Sequence, residues 1–145
     1  RNDSKWNPSV NVKELILEET KALINIEKFK DYETRIETIK FQLLEFLEKH
    51  KENKIVGYGA SATSTTLISH FGLHKYFSYL VDDNTGKINT YSPGYHLPVF
   101  SSKRLIEDKP DIIVILAWRF EEEILKKLEF FQGIVVIPLP IFKEI

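Results

Sequence analysis

The residues of this chain best suited to meet an anion are Gly57-Tyr58-Gly59-Ala60-Ser61-Ala62. They follow the apolar run Ile55-Val56 and lead into Thr63-Ser64-Thr65-Thr66, where a helical pattern begins. A Gly-x-Gly-x-x-Ala spacing between a strand and a helix is the fingerprint of a dinucleotide-binding turn. In that reading Gly57 permits the tight turn, Gly59 lets a pyrophosphate approach the backbone, and the small Ala62 lets the helix pack closely. The hydroxyls of Ser61, Thr63, Ser64 and Thr65 add donors at a helix N-terminus, whose free amides and dipole already favour negative charge. The alternative is a glycine turn capped by Ser and Thr that holds no ligand. Asp82 and Asp83 come about 20 residues later, where such folds place a ribose-binding acid. Asp82-Asp83-Asn84-Thr85-Gly86 is also good turn chemistry by itself.

Other candidates are weaker. Trp118 and Arg119 follow an apolar strand pattern and suit stacking on a base and pairing with a phosphate, although Trp118 suits a structural role as well. His96, in the loop Ser92-Pro93-Gly94-Tyr95-His96-Leu97-Pro98, is expected to lie over the ligand crevice, in a packing or hydrogen-bonding role before a catalytic one. His70 and His74 are four residues apart, but Gly72 between them ends the helix and no acid completes a metal site. No Ser-His-Asp or Cys-His arrangement can be assigned. The acidic glycine-rich loop of S-adenosylmethionine-binding folds is missing, so this domain is expected to bind no cofactor itself.

The elements that must position these residues are read from periodicity. Arg1 to Val10 form a polar lead-in. Val12, Leu15, Ile16, Leu23 and Ile26 mark one helix to about Lys28, and Tyr32, Ile36, Ile39, Leu43 and Phe46 mark a second from about Asp31 to Lys51. A coiled-coil seam is the rival reading of this pattern. Beyond Asn53 strands and helices alternate: strand 54–58, helix 61–71 stopped by Gly72, strand 77–81, a long loop 85–97, strand 98–100, helix 102–107, strand 111–117, helix 120–131 and strand 134–137. Such alternation predicts an α/β, Rossmann-like wound parallel sheet of about four to five strands, preceded by an N-terminal helical arm of two helices. The division is 1–53 for the arm and 54–145 for the nucleotide-binding domain. Placing strand 54–58 beside strand 111–117 opens a switch point at their carboxyl ends, the usual ligand crevice of open α/β sheets.

Bulk properties narrow the classes. At 145 residues there is room for one domain with a real core. A net charge of -1 gives no general attraction to nucleic acid or anionic membrane. The absence of Cys excludes disulfides and Cys-based metal centres and fits a cytoplasmic protein. No apolar run is long enough to span a bilayer and no signal peptide is visible. With no Met anywhere, the chain is expected to be a fragment of a longer protein or a processed one.

Taken together, Ile55–Ala62, Val81-Asp82-Asp83-Asn84, Lys87, Tyr91–Val99 and Ala117–Ile124 resemble the C-terminal domain of the sugar C-methyltransferases. These enzymes methylate a carbon of a nucleotide-linked keto-deoxysugar using S-adenosylmethionine. The arm with Trp6 is similar to the stretch that precedes this domain. The resemblance implies a parent with a Cys-rich zinc-binding domain and a cofactor-binding middle domain upstream. That parent takes a proton from the carbon beside a sugar ketone and passes a methyl group to the enolate. The family's proposed catalytic residues lie in the middle domain, so the resemblance assigns none here. It implies that this domain helps hold a thymidine- or uridine-diphosphate sugar through Gly57, Tyr58, Gly59, Ala60, Ser61, Thr63, Ser64, Thr65, Asp82, Asp83, Asn84, Lys87, Pro93, Gly94, His96, Trp118 and Arg119. Two positions depart from the family: Thr63-Ser64-Thr65 stands where Lys-Gly-Asn is usual, and Arg119 where Asn is. Losing a Lys beside the turn removes a direct phosphate contact, for which Arg119 or Lys87 is the available replacement. A nucleotide-sensing or assembly module and a nicotinamide-binding oxidoreductase fragment are the rival functions.

Overall fold

A computed structural model of the chain describes residues 9–23 and 26–145. Most of the lead-in, with Trp6, lies outside the described residues. The chain divides into two compact units, Arg1–Thr38 and Ile39–Ile145. The boundary between these two units falls inside the second helix. The first unit contains α1 (Val10–Leu23) and the beginning of α2 (Ile26–Lys49). Its apolar side chains Leu15, Ile16, Phe29 and Tyr32 are exposed. From Ile39 onward the same stripe is core: Ile39, Leu43, Phe46 and Leu47 are buried, Leu43 and Leu47 completely.

The second unit contains a seven-stranded sheet. Its strands are β1 (Ile55–Tyr58), β2 (Phe77–Asp82), β3 (Thr90–Tyr91), β4 (Pro98–Ser101), β5 (Ile112–Ile115), β6 (Ile134–Ile137) and β7 (Lys143–Glu144), in the order β3-β4-β2-β1-β5-β6-β7. The five central strands are parallel. The two-residue edge strands β3 and β7 pair antiparallel, and neither has enough residues to announce itself by periodicity. As expected, β1 lies beside β5, with Val56 opposite Ile113 and Tyr58 opposite Ile115. The chain leaves β1 toward β2 on one side and later crosses to β5 on the other, so the wound sheet has its switch point between β1 and β5.

The remaining helices are α3 (Ala62–Phe71), α4 (Arg104–Asp108) and α5 (Glu121–Lys127). Right-handed crossovers running outward in opposite directions put α3 and α5 on opposite faces of the sheet. One face is built from Val56, Tyr58, Tyr79, Val81, Ile113 and Ile115 with Leu105 of α4 and Ile124 of α5. α3 has the ends its sequence predicts: Ser61 is the N-cap, its side chain accepting from the Ser64 amide, and Gly72 stops it with φ 68°. The expected helix 120–131 is shorter. Trp118–Phe120 form one 3₁₀ turn, and regular helix ends at Lys127. Its acidic first turn and basic last turn still follow the dipole.

Candidate functional site

Gly57 does not make the turn. It sits within β1, where a methyl group would come 2.6 Å from Leu80 Cδ2 and 2.7 Å from Leu116 Cδ1. Its missing side chain therefore admits two leucines from flanking segments into the core. Gly59 makes the turn, with φ 108°, but what approaches it is protein. A methyl group there would lie 2.6 Å from Ala117 Cβ and 3.0 Å from Ala117 N. The amides of Leu116 and Ala117 both donate to the Tyr58 carbonyl, which draws the end of β5 against the turn. Ala117 thus supplies a protein reason for glycine at position 59, on the side where a side chain would project.

The two acids do converge on the turn, with protein groups as partners. Asp82 Oδ2 accepts from the Ala60 amide at 2.8 Å and from Lys87 Nζ at 3.0 Å, while Oδ1 accepts from the Asn84 amide. Burial raises the Asp82 carboxyl's hold on its proton. The Ala60 and Asn84 amides and Lys87 together outweigh it, so the pKa lies below the usual carboxylate value. Asn84 Oδ1 in turn accepts from the Gly86 amide, the turn chemistry legible in the sequence.

Asp83 is the hub of a different cluster. It accepts from Tyr58 OH at the end of β1, from Ser102 Oγ after β4 and from Lys127 Nζ on α5. Burial opposes ionisation here too, yet the hydrogen bonds from Lys127, Ser102 and Tyr58 hold its pKa down. Burial first, then the bond to Asp83, pushes the Tyr58 hydroxyl well up, so Tyr58 is a donor throughout the physiological range. Asp83 therefore ties two strand ends and a helix together. Lys127 and Ser102 carry no spacing signal that would identify them in the sequence.

What the turn leaves open is the start of α3. The Gly59 amide goes to the Val81 carbonyl, Ala60 to Asp82, and Ser64 and Thr65 to Ser61. The amides of Ala62 and Thr63, in the first helical turn, have no intrahelical acceptor. Thr63 Oγ1 and Ser64 Oγ are both within hydrogen-bond distance of Ser61 Oγ, forming a small hydroxyl cluster at that end. Beside it is a pocket of 150 Å³ lined by Ala60, Thr65, Lys87, Thr90, Tyr91, Ser92, Pro93 and Val99. It brings together four of the expected site residues, Ala60, Thr65, Lys87 and Pro93, and adds Thr90, whose place depended on recognising β3.

The loop with His96 is the turn of the β3–β4 hairpin, and its first residues, Ser92 and Pro93, reach the pocket beside Ala60 and Thr65. Tyr95 stacks on His74 at 4.0 Å, His96 packs edge-on to Tyr91, and Gly94 is exposed with φ 82°. The antiparallel pairing of Thr90 with Val99 holds the loop there. His70 and His74 fall on different elements, α3 and the 3₁₀ turn after it. No group of three or more metal-ligating side chains occurs among the described residues. Trp118 and Arg119 line another hollow, of 470 Å³, with Phe120, Glu121–Glu123, Pro140 and Lys143. Trp118 is half-buried against the core and Arg119 is exposed. Among the described residues no helix is long and apolar enough to cross a membrane.

Known proteins bear on this geometry. The chain is 26% identical over 136 residues to the C-methyltransferase NovU of Streptomyces niveus, covering 89% of this chain and 32% of NovU. It thus spans about a third of the length of the curated relative it matches. Among solved structures it is similar to the UDP-D-quinovosamine 4-dehydrogenase of Vibrio fischeri, at TM-score 0.48 and 15% identity, covering 64% of this chain and 93% of that one. The model of the C-methyltransferase C-terminal domain matches residues 1–140, through the glycine turn, both acids, the β3–β4 hairpin and the Trp118 segment. The chain belongs to the C-methyltransferase C-terminal domain family.

Proposed function

We propose that this chain is the acceptor-holding domain of a sugar C-methyltransferase and binds a nucleoside-diphosphate sugar at the start of α3. The observation that carries the reading is the α3 N-terminus in a chain of this family: two amides free of intrahelical bonds and the Ser61 and Thr63 hydroxyls, braced by the fully buried Ser64, adjoin a pocket lined by Ala60, Thr65 and Lys87. Amides, hydroxyls and a neighbouring ammonium suit a diphosphate. The methyl donor supplies the transferred carbon in such enzymes, but the residues here do not fit it. Among the described residues no strand is followed by an acidic glycine-rich loop. The domain's contribution is orientation: a held sugar presents its carbon to a reaction run by a cofactor-binding domain upstream, in the cytoplasm. A nicotinamide dinucleotide is disfavoured because the acid its ribose would use, Asp82, is engaged by the Ala60 amide and Lys87.

Calorimetry on the chain tests this. Thymidine- or uridine-diphosphate glucose is expected to give a saturable heat at one site, with no heat from NAD or S-adenosylmethionine. Binding of either of those with none of the nucleotide sugars would overturn the proposal.

A further inference from the structure

We propose that the pocket walled by Ala60, Thr65, Lys87, Thr90, Tyr91 and Pro93 is a subsite for one phosphorylated sugar ring, with Lys87 as its anion contact. The inference rests on the reading of the chain as a nucleotide-sugar holder and adds which part of that ligand goes where. Lys87 has three donors, and one is engaged by Asp82 Oδ2. Asp82 does not depend on it, because the Ala60 and Asn84 amides bind the same carboxylate. Lys87 can thus turn toward a phosphate without leaving a bare charge behind. The two threonines are opposite in character to Lys87. Thr65 Oγ1 donates to the Ser61 carbonyl and Thr90 Oγ1 donates to the Lys87 carbonyl at 2.6 Å, so both oxygens are left as acceptors. Acceptors suit the hydroxyl donors of a sugar and repel phosphate oxygens.

The lining is therefore polarised, cationic at Lys87 and hydroxyl-accepting at Thr65 and Thr90. The Tyr91 ring, Pro93 and Val99 supply apolar surface for the C–H faces of a ring. A volume of 150 Å³ admits one such ring. A dinucleotide calls for a site nearer the 300–1,000 Å³ that larger ligands occupy, roughly. Lys87 and the Ala60 amide share Asp82 Oδ2, so a phosphate held by Lys87 lies on the Ala60 side of the ring, where α3 begins.

The test is amide NMR on the full chain with glucose 1-phosphate, uridine monophosphate, inorganic phosphate and glucose as probes. At least one phosphorylated sugar is expected to shift Thr65 and the amides of 87–92, about 10-fold more tightly than phosphate or glucose alone. Glucose 1-phosphate acting alone identifies the glycosyl ring, and uridine monophosphate acting alone identifies the ribose. Lys87→Ala is expected to weaken that ligand about 10-fold, the loss of one charge-assisted bond. Thr90→Val is expected to weaken it without changing inorganic phosphate. The proposal is overturned if neither phosphorylated sugar moves those amides, or if both variants bind as the parent does. A nucleotide sugar bound equally by the parent chain and Lys87→Ala would remove this subsite and leave the wider reading intact. Glucose 1-phosphate binding with no nucleotide-sugar binding would do the reverse.

Discussion

Replacing Gly59 by Ala tests how far the free protein depends on this backbone conformation and on the approach of Ala117. Here φ is 108°, a conformation that costs a side-chain-bearing residue about 1–3 kcal/mol. The added methyl also falls 2.6 Å from Ala117 Cβ and 3.0 Å from Ala117 N, and overpacking of that kind costs about 1–3 kcal/mol. Ala117 cannot swing aside like the end of a long side chain, because its amide and that of Leu116 are bonded to the Tyr58 carbonyl. Gly59→Ala is therefore expected to lose about 3 kcal/mol or more of ligand-free stability in urea denaturation followed by circular dichroism. Gly57→Ala meets the ends of two leucines and is expected to lose less. A Gly59→Ala loss below about 1 kcal/mol would refute both the strain at this φ and the tight approach of Ala117.

Leu43→Ala should cost about 2–5 kcal/mol in the same assay, because Leu43 is fully buried; a surface-like loss would take the end of α2 out of the core. Asp82 and Asp83 both have folded pKa values below the ordinary 3.8, so their contribution is complete above that value and is lost as pH falls through the folded pKa. Stability should accordingly drop on acidification below about pH 4, and Asp82→Asn with Asp83→Asn should flatten that limb; an unchanged limb would contradict their pairing. Incubated with S-adenosylmethionine and a keto-deoxysugar nucleotide, the chain alone is expected to form no S-adenosylhomocysteine. Turnover abolished by His96→Ala would show that the catalytic machinery had been misplaced.

The sequence made the wound sheet legible because its central strands are short, apolar and punctuated. Ser61 and Gly72 mark both ends of α3, and the Ile112–Ile115 run could only be a doubly covered strand. β3 and β7 escaped because two residues carry no period, and with β3 went the hairpin that carries the His96 loop. The glycine spacing was read for a ligand, whereas the contacts that demand those glycines, Leu80, Leu116 and Ala117, come from segments far along the chain. The two acids were found in the right place, but their partners Lys127 and Ser102 are assembled only by the fold. Ile39 marks where the α2 stripe becomes core, a change with no counterpart in the evenly repeating pattern from Tyr32 to Phe46.

Mapping an intact nucleotide sugar onto the chain tests its role as an acceptor-holding domain most directly. Thymidine-diphosphate glucose titrated into the labelled chain is expected to shift the amides of Ser61, Ala62, Thr63 and Thr65 together with those of 87–92, saturably and at one site. Shifts confined to the Trp118–Lys143 hollow, or the same turn responding to NAD and ignoring the nucleotide sugar, would contradict it.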